Sequence, residues 1–223
     1  MTTSTQITSQ QVIYPESDGQ PMADNTKQFR WIVTIQGGLD ALFKDDPNVF
    51  VAGDLLWYPV EGDNKTRIAP DAMIVFGRPK GDRGSYQQWR EDNIPPSVVF
   101  EVLSPGNRLT EMLNKLRFYE RYGVEEYYMY DPDNEDLAGW LRSGDELREI
   151  ETIAGSVSPR LGIQFELADQ GLAIYRPDGQ KFATYVELEQ QRVEAIAHAE
   201  QEAQRAARLA AKLQQLGIDA DTL

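Results

Sequence analysis

The sequence predicts an α/β domain followed by a long helix. Three observations carry this. Residues 24–43 and 108–122 repeat apolar side chains at helical spacing. Short apolar runs rich in Val, Ile, Phe and Tyr alternate with these helices, as in α/β folds. From Val186 the composition turns to Ala, Glu, Gln and Arg, with neither Gly nor Pro before Gly217. The expected organisation is a flexible polar arm at 1–23, a domain at 24–185 and a coiled-coil-like helix at 186–223.

The arm carries Pro15, Gly19 and Pro21 and no helical pattern. In the first helix Phe29, Ile32, Val33, Leu39 and Leu42 recur on one face, and Asp24 or Asn25 can cap its start. Gly37 and Gly38 weaken its interior, which permits a bend or close packing. Strand-like runs follow at 49–58 and 68–76, separated by a turn at 61–65. Residues 77–96 form a long polar loop of mixed charge, and loops of that length in compact domains are often functional. The run at 97–103 reads as a buried strand, broken by Ser104–Pro105–Gly106–Asn107. In the second helix Leu109, Met112, Leu113, Leu116, Tyr119 and Tyr122 line one face, with Asn107 as cap and Gly123 as stop. A strand at 126–131, a hairpin of 137–142 with 146–151, and a strand at 162–167 complete the domain.

Composition narrows the chemistry. With no Cys and a single His, disulfides, thiolate sites and His-rich zinc sites are excluded. A metal would have to bind carboxylate oxygen, which suits Mg²⁺, Mn²⁺ or Ca²⁺. The net charge of −14 opposes non-specific binding to phosphate, although a local basic patch acts independently beyond a Debye length of about 8–10 Å. No membrane span is evident and the polar start lacks signal-peptide features, so a cytoplasmic protein is expected.

Glu101 is the informative residue. It stands inside an apolar strand, where an unpaired carboxylate costs several kcal/mol. A cation, a hydrogen-bond set, protonation or a structural salt bridge must compensate. Asp71 opens the apolar run that follows Pro70; alone it reads as a turn residue, but beside Glu101 it gives two oxygen donors for one cation. Leu103 occupies the place two residues after Glu101, on the same strand face, where a simple D…E-x-K nuclease has Lys. Lys115 lies at the border of the second helix's buried face, from which it could reach inward or snorkel to solvent.

The segments Pro-Asp-Ala-Met-Ile-Val from Pro70, Val-Val-Phe-Glu-Val-Leu-Ser-Pro-Gly-Asn-Arg from Val98, and the run from Asn114 to Pro132 resemble the Uma-two family of restriction-endonuclease-like proteins, within the PD-(D/E)xK nuclease superfamily. The resemblance implies a mixed β-sheet flanked by helices. It implies Asp71 and Glu101 as ligands of Mg²⁺ or Mn²⁺, and Lys115 as a catalytic Lys displaced onto the following helix. Arg108 matches the family's Arg, either meeting phosphate or bracing the loop, and Asp131 matches its Asp-Pro, either a turn residue or a site residue. The first-helix acid that many superfamily members use as a ligand has no evident counterpart; Asp24 is the only early acid, and Asp54 is unplaced.

The expected function is metal-dependent hydrolysis of phosphodiesters in nucleic acid, with DNA favoured. Arg78, Lys80, Arg83 and Arg90 of the long loop are candidate backbone contacts. The competing reading is an inactive nuclease fold acting as an interaction protein. A carboxylate-pair glycosidase needs only two acids and is a third. Val193, Ile196, Ala203, Ala207, Ala210 and Leu213 approximate a seam on the tail helix, so a homodimer or a docked partner is expected there. His198 in that helix reads as exposed.

Overall fold

The structure is a computed structural model that describes residues 12–168 and 171–215. They fall into two units that divide between Phe182 and Ala183. The first contains α1 (Thr26–Leu42), β1 (Val49–Ala52), β2 (Trp57–Tyr58), β3 (Ala72–Phe76), β4 (Tyr86–Gln87), β5 (Val98–Val102), α2 (Leu109–Arg121), β6 (Glu126–Asp131), β7 (Asp136–Ser143), β8 (Glu146–Glu149), β9 (Gln164–Ala168) and β10 (Gly171–Tyr175). The second is α3 (Tyr185–Gln215) with its flanks. No described helix is long and apolar enough to cross a membrane.

Six strands form a mixed sheet in the order β1-β3-β5-β6-β7-β8. Within this sheet only β5 and β6 run parallel, because α2 is the crossover between them. Strand alternation divides β5 between two cores. Val98, Phe100 and Val102 face α1, packing with Ile32, Ile35 and Leu39. Val99 faces the α2 side, with Tyr119, Tyr127, Trp57 and Tyr86. All five β5 residues are buried, so Glu101, which shares a face with Val99, lies inside the α2 side of the domain.

The sequence placed both helices within two residues of their ends, with Asn25 capping α1 by accepting from the Lys27 and Gln28 amides. Gly38 is a site of close packing: a Cβ there would lie 2.3 Å from the Phe182 ring. Several expectations need correction. The run at 49–58 is two strands, since the chain leaves the sheet at Gly53–Asp54, where Asp54 adopts φ +49° and its amide bonds the Pro70 carbonyl at 3.0 Å. β10 was not foreseen; it pairs with β9 beside the sheet. Asn107 does not cap α2. Its carboxamide oxygen accepts from the Ser104 amide at 2.7 Å, and Arg108 holds the cap position of α2 without a side-chain cap bond.

Nor is the arm free from residue 12 onward. The Tyr14 ring packs against Tyr58 and Trp89, and Tyr58 donates to the Pro15 carbonyl at 2.7 Å. A polar segment can be ordered when its one aromatic finds a ring pocket and its carbonyls find donors. Residues 1–11 lie outside the described residues, as does Leu216 of the tail.

Candidate active site

Antiparallel pairing of β3 with β5 sets Ala72 against Phe100, which brings Asp71 opposite Glu101. The Asp71 carboxylate accepts from the Val102 amide at 2.6 Å. Glu101, only 2% exposed, receives two donors from α2. Lys115 Nζ donates to its Oε2 at 2.8 Å, and the Tyr119 hydroxyl donates to its Oε1. These donors are four residues apart, one helical turn, and so reach the same carboxylate together. The tertiary structure therefore joins Asp71, Glu101 and Lys115, which lie up to 44 positions apart in sequence.

Tyr119 was read from the sequence only as a core residue. Its spacing from Lys115 was the available signal, but a Tyr on an apolar face is ordinarily core. Gln28 was missed altogether. It is buried on α1, donates to the Val102 carbonyl at 2.8 Å and accepts from the Asp24 amide, so a neutral side chain stands where α1 meets β5. Asp24 accepts from Ser104 Oγ at 2.5 Å.

Asp71 and Lys115 line a cleft of about 530 Å³, together with Asp18, Asp24, Asp54 and Glu111. Burial, and then the charge of Glu101, push the Asp71 carboxyl up to about 8. Burial alone would lower the Lys115 ammonium; the adjacent Glu101 outweighs it and the net direction is upward. Burial and Glu101 hold the Tyr119 phenol well above its ordinary range, so it remains a donor at neutral pH. Asp54 is raised by burial and by Asp18.

With the Asp71 carboxyl protonated at neutral pH, the Glu101 carboxylate and the Lys115 ammonium balance each other's charge. Among the described residues no three acidic or His side chains converge to close a metal shell. The donor set still fits Mg²⁺ or Mn²⁺, which bind through one or two carboxylates and complete an octahedron with water and phosphate. Asp71 and Glu101 would hold the ion, since each engaged oxygen keeps a further lone pair.

The other candidate residues lie elsewhere. Arg78 donates to Glu91 at 2.9 Å and pairs with Asp92, and Arg83 donates to Glu91 at 2.8 Å. These guanidiniums are mostly buried and stitch the 77–96 loop to itself, so phosphate contact would first have to break the pairs. Lys80 lies 3.4 Å from Asp40, and Arg90 is exposed. None of the four lines the cleft. Asp131 accepts from the amides of Asp133 and Asn134, closing a turn. His198 is exposed on α3.

The raised Asp71 carboxyl gives a pH prediction. Between the ordinary carboxylate range and about pH 8, the metal-free folded protein holds a proton that the unfolded chain has lost. Stability must then fall as pH rises through that window and level off above it. A metal held by Asp71 would have to displace the same proton, so any Mn²⁺ affinity should rise toward pH 8, by up to about tenfold per unit. Urea melts of EDTA-treated Asp71→Asn should lack this component of the pH slope; a slope identical to that of the wild type would contradict it.

No curated protein matches the chain. A crystal structure described as a putative nuclease belonging to DUF820, from Anabaena variabilis ATCC 29413, is 15% identical, with a TM-score of 0.46 over 63% of this chain and 74% of that one. The family model described as "Putative restriction endonuclease", Uma2, matches residues 14–174. With most of its length matched, the chain belongs to the Uma2 family.

Proposed function

We propose that the protein is a metal-dependent endonuclease that hydrolyses phosphodiester bonds of nucleic acid, with DNA the favoured substrate. The supporting observation is the contact that Lys115 makes from α2 with the buried Glu101, behind a cleft that Lys115 and Asp71 line. A bound Mg²⁺ or Mn²⁺ would supply Lewis acidity and lower the pKa of water. Asp71 and Glu101 would hold that cation through their carboxylate oxygens. Tyr119 holds the Glu101 carboxylate in one orientation and remains protonated while doing so. Lys115 presents a positive charge at the place where negative charge builds on the phosphate. The test is cleavage of plasmid and of labelled RNA in Mg²⁺, Mn²⁺ or EDTA; metal-dependent nicking that Asp71→Ala abolishes is expected, and activity that persists in EDTA would refute the reading.

We propose also that α3 mediates self-association. No described residue of α3 is buried, and Val193, Ile196 and Leu209 are 52%, 47% and 55% exposed. A lone helix gains nothing from presenting apolar residues to water, whereas a second helix covers them. Ending the chain after Thr184 should lower the mass measured by light scattering and leave the domain's melting transition in place. An unchanged mass would reduce α3 to a solvated helix.

A further inference from the structure

Lys115 borders two spaces of opposite character. On one side is the acidic cleft, with Asp18, Asp24, Asp54, Asp71 and Glu111. On the other is an open groove of about 530 Å³ that shares Arg67, Ile68, Glu111 and Lys115 with the cleft and adds Arg108, Asn114 and Phe118. In this groove Glu111 is the only acid, facing Arg67, Arg108 and Lys115.

In a chain with 36 acidic and 22 basic residues, whether an acid neutralises the two arginines decides the charge of the groove. Arg78, Arg83 and Arg160 each take a carboxylate partner. Arg67 and Arg108 have none among the described residues. Arg67 bonds only the Asn64 carbonyl, at 3.1 Å, which aims the guanidinium without neutralising it. Arg108 stands at the start of α2, where the helix has no side-chain cap and its positive end adds to the potential. Ile68 and Phe118 give the groove an apolar wall, which suits sugar and base better than a small free anion.

We infer that Arg67 and Arg108 form the phosphate-binding rim of the site, so that a nucleic-acid strand reaches Lys115 along this groove and leaves the acidic cleft to cations. This rests on the nuclease reading above. The rim replaces the 77–96 loop as the main backbone contact, and it places Arg67, which the sequence did not single out, within the substrate path. A strand continuing into the cleft would set phosphates against Asp18, Asp24 and Asp54, so the groove is the side on which the backbone is held.

The test is fluorescence anisotropy of a labelled DNA oligonucleotide in Ca²⁺ with the full-length protein. Arg67→Ala and Arg108→Ala should each weaken binding by roughly three- to tenfold and together by at least about tenfold, with a shallower salt dependence. Lys80→Ala should bind like the wild type. Both arginines are partly or fully exposed, and unchanged circular dichroism melts separate loss of binding from loss of fold. Wild-type affinity in the arginine variants would overturn the rim while leaving the nuclease reading intact. Displacement of the oligonucleotide by inorganic phosphate, but not by KCl of matched ionic strength, would overturn the strand assignment in favour of a small-anion site. A wild type that neither binds nor cleaves the oligonucleotide would count against the nuclease reading itself.

Discussion

Glu101→Gln should reduce metal-dependent cleavage by about a thousandfold or more while the domain remains folded. The substitution keeps the side chain's shape but removes the charge that would share the cation with Asp71, and a lost electrostatic anchor in a buried site typically costs 10²–10³ or more in rate. The more drastic Glu101→Ala tells a different story. It leaves the Lys115 ammonium and the Tyr119 hydroxyl without their acceptor inside the protein. Breaking one side of a buried ion pair costs about 3–5 kcal/mol, so that variant should also melt earlier. A buried charge considered by itself would make Glu101→Gln neutral or stabilising without metal. The structure revises that expectation, because the carboxylate is not alone: two donors depend on it. Calorimetric titration with Mn²⁺, urea melts and a cleavage assay on both variants separate the effects. Unchanged cleavage by Glu101→Gln would remove Glu101 from the site.

Lys115→Ala should lower the cleavage rate by about 10²–10³-fold, the usual consequence of losing one preorganised donor at a developing charge. Mn²⁺ affinity should be retained or tightened, because an ammonium repels the metal rather than binding it. This split between rate and metal affinity would not arise if Lys115 only braced α2. Lys115→Arg should not restore full activity, since a planar guanidinium fork does not replace a compact point charge. The helix also makes a relocation experiment available. Leu103 lies two residues beyond Glu101, where strand alternation directs it to the same face. Leu103→Lys combined with Lys115→Ala should recover part of the lost rate. If Lys115→Ala cleaved at the wild-type rate, the contact with Glu101 would be structural and Lys115 would leave the catalytic set.

These experiments address residues whose roles have different origins in the chain. The sequence by itself determined the helices, because 3.6-residue periodicity at 24–43 and 108–122 is a local property. It also determined that Glu101 needed a partner, since a carboxylate in an apolar strand is costly wherever that strand lies. The absence of Cys and the single His restricted any metal to oxygen ligands before any geometry was known.

Only the tertiary structure decided which partner Glu101 has. The antiparallel register of β3 on β5 puts Asp71 opposite it, and the crossover through α2 brings Lys115 and Tyr119 onto it. It likewise decided which arginines remain available. Arg78 and Arg83 are equivalent to Arg67 and Arg108 as letters, yet Glu91, next to Arg90 in sequence and set between the first two by the loop's path, takes their charge. Periodicity and composition act over a few residues, so they are written along the chain. Ion pairing acts through space, over a few ångströms, between residues whose separation in sequence says nothing about their distance.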